Sequence, residues 1–205
     1  MGNNFQELQE RISAGRALIG VIGLGYVGLP LVLHFARKGF RVLGFDADEK
    51  KVEALNAGRF YIMHIPAEEI TAIGFRESGS LFEATHDLKR LGEPVVLLIC
   101  VPTPLDRFRE PNLEYVEKSA QNIAATLRRG QLISLESTTY PGTTDDIIRP
   151  LWAQRVCGWE KIFSWPIRRN GKTRATWPTT CATPPRSWED IPQPVWSWGR
   201  PYMAR

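Results

Sequence analysis

At 205 residues the chain can hold one large domain, or one domain and a further piece. It has no apolar run long enough to span a membrane, no signal peptide is expected, and its three cysteines lack metal-ligand spacing and argue against a disulfide framework. A cytoplasmic protein with no metal site and no membrane partner is expected.

Charge is unevenly spread. Residues 1–150 carry 17 Lys/Arg against 19 Asp/Glu, a net of −2, whereas residues 151–205 carry 9 against 3, a net of +6. All seven tryptophans fall in the second stretch, from Trp152 to Trp198.

Residues 1–16 are polar, with Glu7, Glu10 and Arg11, and predict a short amphipathic helix. The apolar run at 17–22 suits a parallel strand buried on both faces. It runs into Gly23-Leu24-Gly25-Tyr26-Val27-Gly28, which has G-x-G-x-x-G spacing. In that pattern the first glycine makes a tight turn, the second lets backbone approach a pyrophosphate, and the third packs helix on strand. Helical periodicity over 27–38 places Val27, Pro30, Leu31, His34 and Phe35 largely on one side, and Gly39 stops the helix. The next strand, 41–45, ends in Asp46, about twenty residues past the glycines, where an acceptor for a ribose hydroxyl is expected. An Asp there favours NAD, since a 2′-phosphate would meet like charge. The same residues also fit a structural glycine turn and a helix-capping Asp. The succession of strand, glycines, helix, strand and acid favours the dinucleotide.

Further along, the pattern predicts a helix over 49–58, helix with loop over 66–78, and a short strand over 81–85. A strongly apolar strand spans 95–101 behind the turn Gly92-Glu93-Pro94, and a helix runs from 111 to about 127 with Gly130 closing it. The strand 131–135 follows, then a helix from Pro141-Gly142 through Ile148. Alternating strands and helices imply an open, doubly wound parallel sheet of Rossmann type. Cys100 reads as a small buried hydrophobe. His34, His64 and His86 are scattered singly and read as surface or packing residues. Asp145-Asp146 reads as a charge pair at a helix start rather than a metal site.

Three segments together resemble the N-terminal domain of the UDP-glucose/GDP-mannose dehydrogenase family: 23–30, beginning with the glycines; Cys100-Val101-Pro102-Thr103-Pro104-Leu105-Asp106; and 135–144, containing Glu136-Ser137-Thr138-Thr139-Tyr140-Pro141-Gly142. The resemblance covers roughly 5–155, and its wording is most similar to the bacterial UDP-N-acetylglucosamine and UDP-N-acetylmannosamine 6-dehydrogenases. It implies oxidation of the C6 alcohol of a UDP-sugar to a carboxylate by two NAD molecules in turn, through an aldehyde and a thioester on a cysteine. It also implies that Gly23, Gly25, Tyr26, Val27 and Gly28 cradle the pyrophosphate and that Asp46 takes the adenosine ribose with Lys51 nearby. Val101, Pro102 and Thr103 would line the dinucleotide, and Thr138 would lie beside the reacting centre and help hold a water. Other roles remain open for these residues: Val101 to Pro104 as a rigid strand exit, and Ser137, Thr138 and Thr139 as caps of the next helix. In the intact family a homo-oligomer is possible.

The family would next place a segment of the type Ser-Pro-Glu-Arg, with a glutamate used in catalysis. Residues 156–172 contain none. Plausible codons for 156–177, read from the third nucleotide of the Val156 codon, permit LRLGKDFLLA followed by YSPEREDPGN, the wording the family places there. The expected organisation is therefore an NAD-binding domain over 1–155 and an irregular, disordered, out-of-frame tail over 156–205. On that reading the sheet is incomplete, the sugar-binding domain and nucleophilic cysteine are missing, Cys157 and Cys181 do not replace it, and the chain is expected to bind NAD weakly at best, to be inactive alone and to be prone to aggregate. The alternative is a non-catalytic nucleotide-binding module whose basic, Trp-rich tail binds single-stranded nucleic acid. The frame shift accounts for the same composition without a function, so a nucleic-acid partner is not expected.

Overall fold

A computed structural model describes residues 3–59, 80–105, 107, 111–140, 142–153 and 163–166. The predicted helix over 66–78, His64, Asp106, Pro141, Cys157 and Cys181 lie outside the described residues.

Helix α1 (Asn3–Ser13) leads into β1 (Leu18–Ile22), α2 (Gly28–Arg37), β2 (Arg41–Phe45), α3 (Glu49–Asn56) and β3 (Phe82–Thr85). A 3-10 turn (Leu88–Gly92) precedes β4 (Val96–Ile99), followed by α4 (Glu114–Thr126), β5 (Leu132–Leu135), a π-helical turn (Thr144–Ile148), α5 (Arg149–Ala153) and β6 (Phe163–Pro166). The strands form one sheet in the order β3-β2-β1-β4-β5-β6, and every pairing is parallel. This is the doubly wound order, with the direction of winding reversing between β1 and β4.

Strands β1, β2, β4 and β5 are largely apolar on both sides because both faces are covered. Ile19, Val21, Val42, Val96 and Leu98 join Leu29, Val32, Val52 and Leu55 of α2 and α3 in one core. Ile22, Leu43, Phe45, Leu97 and Ile99 join Val116, Ala120, Ile123 and Trp152 of α4 and α5 in the other. The period-2 alternation thus sorts neighbouring residues of one strand into different cores. The Trp152 indole N–H donates to the Ala120 carbonyl at 3.0 Å, which ties α5 to α4.

Four details differ from the sequence analysis. Helix α2 buries Leu29, Val32, Leu33, Phe35 and Ala36, whereas Val27 is 50% exposed and Pro30, Leu31 and His34 are half-buried. Gly28 sets that rotation: a Cβ there would collide with the Gly23 carbonyl, so the stripe through Gly28, Val32 and Ala36 faces the sheet. The last helix begins later and runs to Ala153. Its first turn is wide, with Arg149 N–H reaching back to Thr144 O, and Pro150 has no N–H to continue a normal ladder. Thirdly, none of Ser137, Thr138 and Thr139 caps this helix; its N-cap residue Thr143 turns its hydroxyl to Tyr140 O instead. Finally, Phe163–Pro166 pairs in parallel with Leu132–Leu135. The expectation of an irregular tail is corrected at those four residues, where β5 offers an open edge that extended chain can pair with, and the sheet has six strands.

Candidate dinucleotide site

The site lies at the carboxyl ends of β1, β2, β4 and β5, where an open parallel sheet leaves a crevice at its switch point. Gly23 ends β1 at φ +90°, and a Cβ there would come within 2.8 Å of the Cys100 carbonyl oxygen. Only glycine lets the turn pass so close to β4. A Cβ at Gly25 would meet nothing within 4 Å. The three motif glycines therefore differ: Gly23 and Gly28 are enclosed by protein, while Gly25 faces open space. The N-cap of α2, Val27, offers no side-chain hydrogen bond. The amides of Tyr26 and Val27 donate to no acceptor among the described residues. Unpartnered amides at the start of a ten-residue helix suit an anionic group.

Asp46 closes the second side. Its Oδ2 accepts the Leu24 amide and its Oδ1 accepts the Asp48 amide, both at 3.0 Å. Asp48 in turn caps α3, accepting from the Lys50 and Lys51 amides. The aspartate is only half-buried, and each oxygen has a lone pair beyond the one engaged. Lys51 sits in the first turn of α3, held there through its backbone.

Opposite the glycines, the β4 exit carries half-buried Val101 and Thr103 and exposed Pro102. Thr138, three residues past β5, is exposed, and its hydroxyl has no partner among the described residues. The neighbouring Ser137 hydroxyl donates to the Val101 carbonyl at 2.7 Å and lies 3.3 Å from that of Ile99. Apart from Lys51 on α3, the predicted residues follow the ends of β1, β2, β4 and β5, along the carboxyl edge of the sheet. Sequence reasoning missed the bond from Ser137 and the anchoring of Leu24 by Asp46. Signals existed for both: Pro102 and Pro104 deprive the β4 exit of donors, and the Leu24 amide needs an acceptor.

Glu136 directly follows β5, with its Oε1 accepting the Ser134 hydroxyl at 2.6 Å. Burial pushes its carboxyl above the ordinary value, and the Ser134 bond opposes that. Cys100 is buried in the adjacent strand end, and burial, with a contribution from Glu136, pushes its thiol up. It behaves as the sequence suggests, as a packed apolar group. His86 is exposed, and His34 packs edge-on to Phe35. Asp145 pairs with Arg149 at 3.5 Å. Among the described residues no group of three His, Cys, Asp or Glu could hold a metal, and no helix is long and apolar enough to cross a membrane. A cavity of about 760 Å³ lies elsewhere, along β3 beside Asn56, Ser80 and Arg90, and borders none of the crevice residues.

The six-stranded order, the three glycine environments and the anchored aspartate define a dinucleotide-binding domain of Rossmann type. Residues 17–164 match the UDP-glucose/GDP-mannose dehydrogenase family, NAD binding domain, and the chain belongs to that family. UDP-N-acetyl-D-glucosamine 6-dehydrogenase of Pseudomonas aeruginosa is 33% identical over 65% of this chain and 30% of its own length. UDP-N-acetyl-D-mannosamine dehydrogenase of Escherichia coli K12 is 37% identical over 63% and 30%, respectively. Among solved structures, NDP-N-acetyl-D-galactosaminuronic acid dehydrogenase from Methanosarcina mazei superposes with a TM-score of 0.67 at 27% identity, covering 82% of this chain and 38% of that one. GDP-mannose dehydrogenase from Pseudomonas aeruginosa gives 0.64 at 26%, covering 73% and 36%. The chain thus spans about 30% of the length of the curated relatives it matches. NAD is the cofactor that the matched domain indicates.

Proposed function

We propose that this chain supplies the NAD-binding part of a nucleotide-sugar 6-dehydrogenase acting on a UDP-sugar. The observation that carries the reading is the pairing of the open space before Gly25 with the Asp46 carboxylate fixed beside it. In the proposal, backbone at Gly23, Gly25, Tyr26, Val27 and Gly28 takes the pyrophosphate and Asp46 the adenosine ribose, with Lys51 close by. Val101, Pro102 and Thr103 form the opposite wall, and Thr138 orients a water. A hydroxyl at the exposed end of β5, engaged by no described protein group, suits that last role. Bound NAD would supply hydride acceptance.

The chain by itself is proposed to bind NAD without turnover. Cys100 is the one described cysteine, and it is buried with its thiol pushed up, the reverse of an activated nucleophile. A cytoplasmic location and a homo-oligomeric whole enzyme, with no nucleic-acid partner, belong to the same proposal. So does the boundary near residue 155, with an out-of-frame tail beyond it; the shift in charge and tryptophan content supports it. Sequencing the gene across the codons for Arg155 to Gly158 checks that boundary. An unbroken frame in an independent clone encoding the same tail would refute it. Calorimetric titration with NAD, beside an NADH-formation assay with UDP-sugars, tests the function. Absence of NAD binding would sink the reading, and robust turnover by the isolated chain would sink the claim of inactivity.

A further inference from the structure

We infer that Ser137 is a positioning residue: its hydroxyl holds the Val101 carbonyl, keeps the β4 exit against the glycine loop, and so sets the opening that receives the dinucleotide. The inference rests on the dinucleotide reading above. The β1–β4 ladder reaches its end when Cys100 N–H donates to Ile22 O. Beyond it come Pro102 and Pro104, which have no N–H to give. Thr103 has the one amide between them. The exit can therefore be held mainly through its carbonyls. Two are held: Val101 O accepts from the Ser137 hydroxyl at 2.7 Å, and Pro104 O accepts from the Asn112 amide at 2.8 Å.

The Val101 bond reaches the glycines through direct contact. A Cβ placed on Gly23 would lie 2.8 Å from Cys100 O and 3.1 Å from Val101 Cα. Backbone at 100–101 is thus the wall against which the first turn of the motif packs. Ser137 lies one residue from Thr138, so the same bond also ties the β5 exit to that wall. Losing the hydroxyl leaves the Val101 carbonyl without its donor and lets the wall relax away from Gly23.

The test uses the full chain with NAD as probe. Ser137→Ala is expected to weaken NAD binding about fivefold, the scale of one hydrogen bond, and to speed hydrogen exchange without nucleotide at the Cys100 amide, whose bond to Ile22 O ends the ladder beside that wall. Ser137→Thr, which keeps the hydroxyl, should restore both. Thr126→Ala removes a hydroxyl bonded to Ile123 O on α4, away from the crevice, and should change neither. Parental affinity in Ser137→Ala would overturn the inference while leaving the NAD reading intact. A Ser137→Thr variant as weak as Ser137→Ala would also overturn it, since packing rather than the hydroxyl would then be at work. If the unaltered chain bound no NAD, the dinucleotide reading and the role of Ser137 would fall together.

Discussion

The Asp46 carboxylate reaches back to the glycine loop, with its Oδ2 accepting the Leu24 amide at 3.0 Å. Its other oxygen is tied to the Asp48 amide. The acid expected to take a ribose is thus already fixed by the turn it must work beside. Asp46→Asn would present an NH2 group to one of those two donors. Loss of a hydrogen bond to a charged group costs about 1.5–3 kcal/mol, so NAD affinity should fall about tenfold or more, with a lower melting temperature. Calorimetry and a thermal melt check this, and unchanged affinity would place the ribose elsewhere.

The glycines predict opposite outcomes for the same added methyl. Gly28→Ala drives a Cβ into the Gly23 carbonyl, and the helix cannot back away without uncovering Leu29 and Val32. Overpacking of this kind costs about 1–3 kcal/mol or more, seen as a lower urea midpoint. Gly25→Ala meets no protein atom within 4 Å. Its urea midpoint should stay close to the parent's while NAD binding is lost, because the methyl fills the approach to the pyrophosphate.

Edge strand β3 carries its own protection. The Asn56 side chain donates to Ala84 O at 2.9 Å and accepts from Ala84 N–H at 3.0 Å, in the manner of a neighbouring strand. Ser80 Oγ does the same for Phe82, at 2.7 and 3.3 Å. Asn56→Ala should cost about 1–3 kcal/mol, the penalty for leaving buried backbone groups unpaired. It should also raise light scattering on heating, since an open edge templates pairing between chains. Scattering equal to the parent's would show that other groups guard the edge.

Glu136 gives a pH dependence. Its folded pKa lies above the ordinary 4.5, so between those values the folded chain holds more protons than the unfolded one. Stability therefore declines as pH rises through that window. Glu136→Gln removes this contribution, and the variant should gain on the parent from about pH 4.5 upward. Denaturant titrations at a series of pH values read the difference directly. A constant gap across the series would mean that the carboxyl is not titrating as its burial requires.

Much of the first 150 residues was legible because local rules and tertiary needs agree there. Asp46 stands where it was expected, and the strand from 95 onward was plain because it is apolar on both faces. The rotation of α2 was not legible. Val27, Pro30 and Leu31 look like part of a buried stripe with Phe35, but only Phe35 among them is buried, because the contact of Gly28 with Gly23 turns a different stripe inward. A cap was one of the roles left open for Ser137, because sequence shows a hydroxyl before a helix and hides the carbonyl of Val101 beside it. The pairing of Phe163–Pro166 carries no local signal, since a tryptophan and a proline next to a serine announce no strand; the open edge of β5 selects it.

Strand β1 lies between β2, its near neighbour along the chain, and β4, whose residues come some eighty positions later. A polypeptide emerging from the ribosome can join β1 to β2 early, but half of the crevice does not exist until β4 is released. Until then the apolar flank of β1 must wait beside water, which marks this interval as the one in which a holding chaperone would matter most.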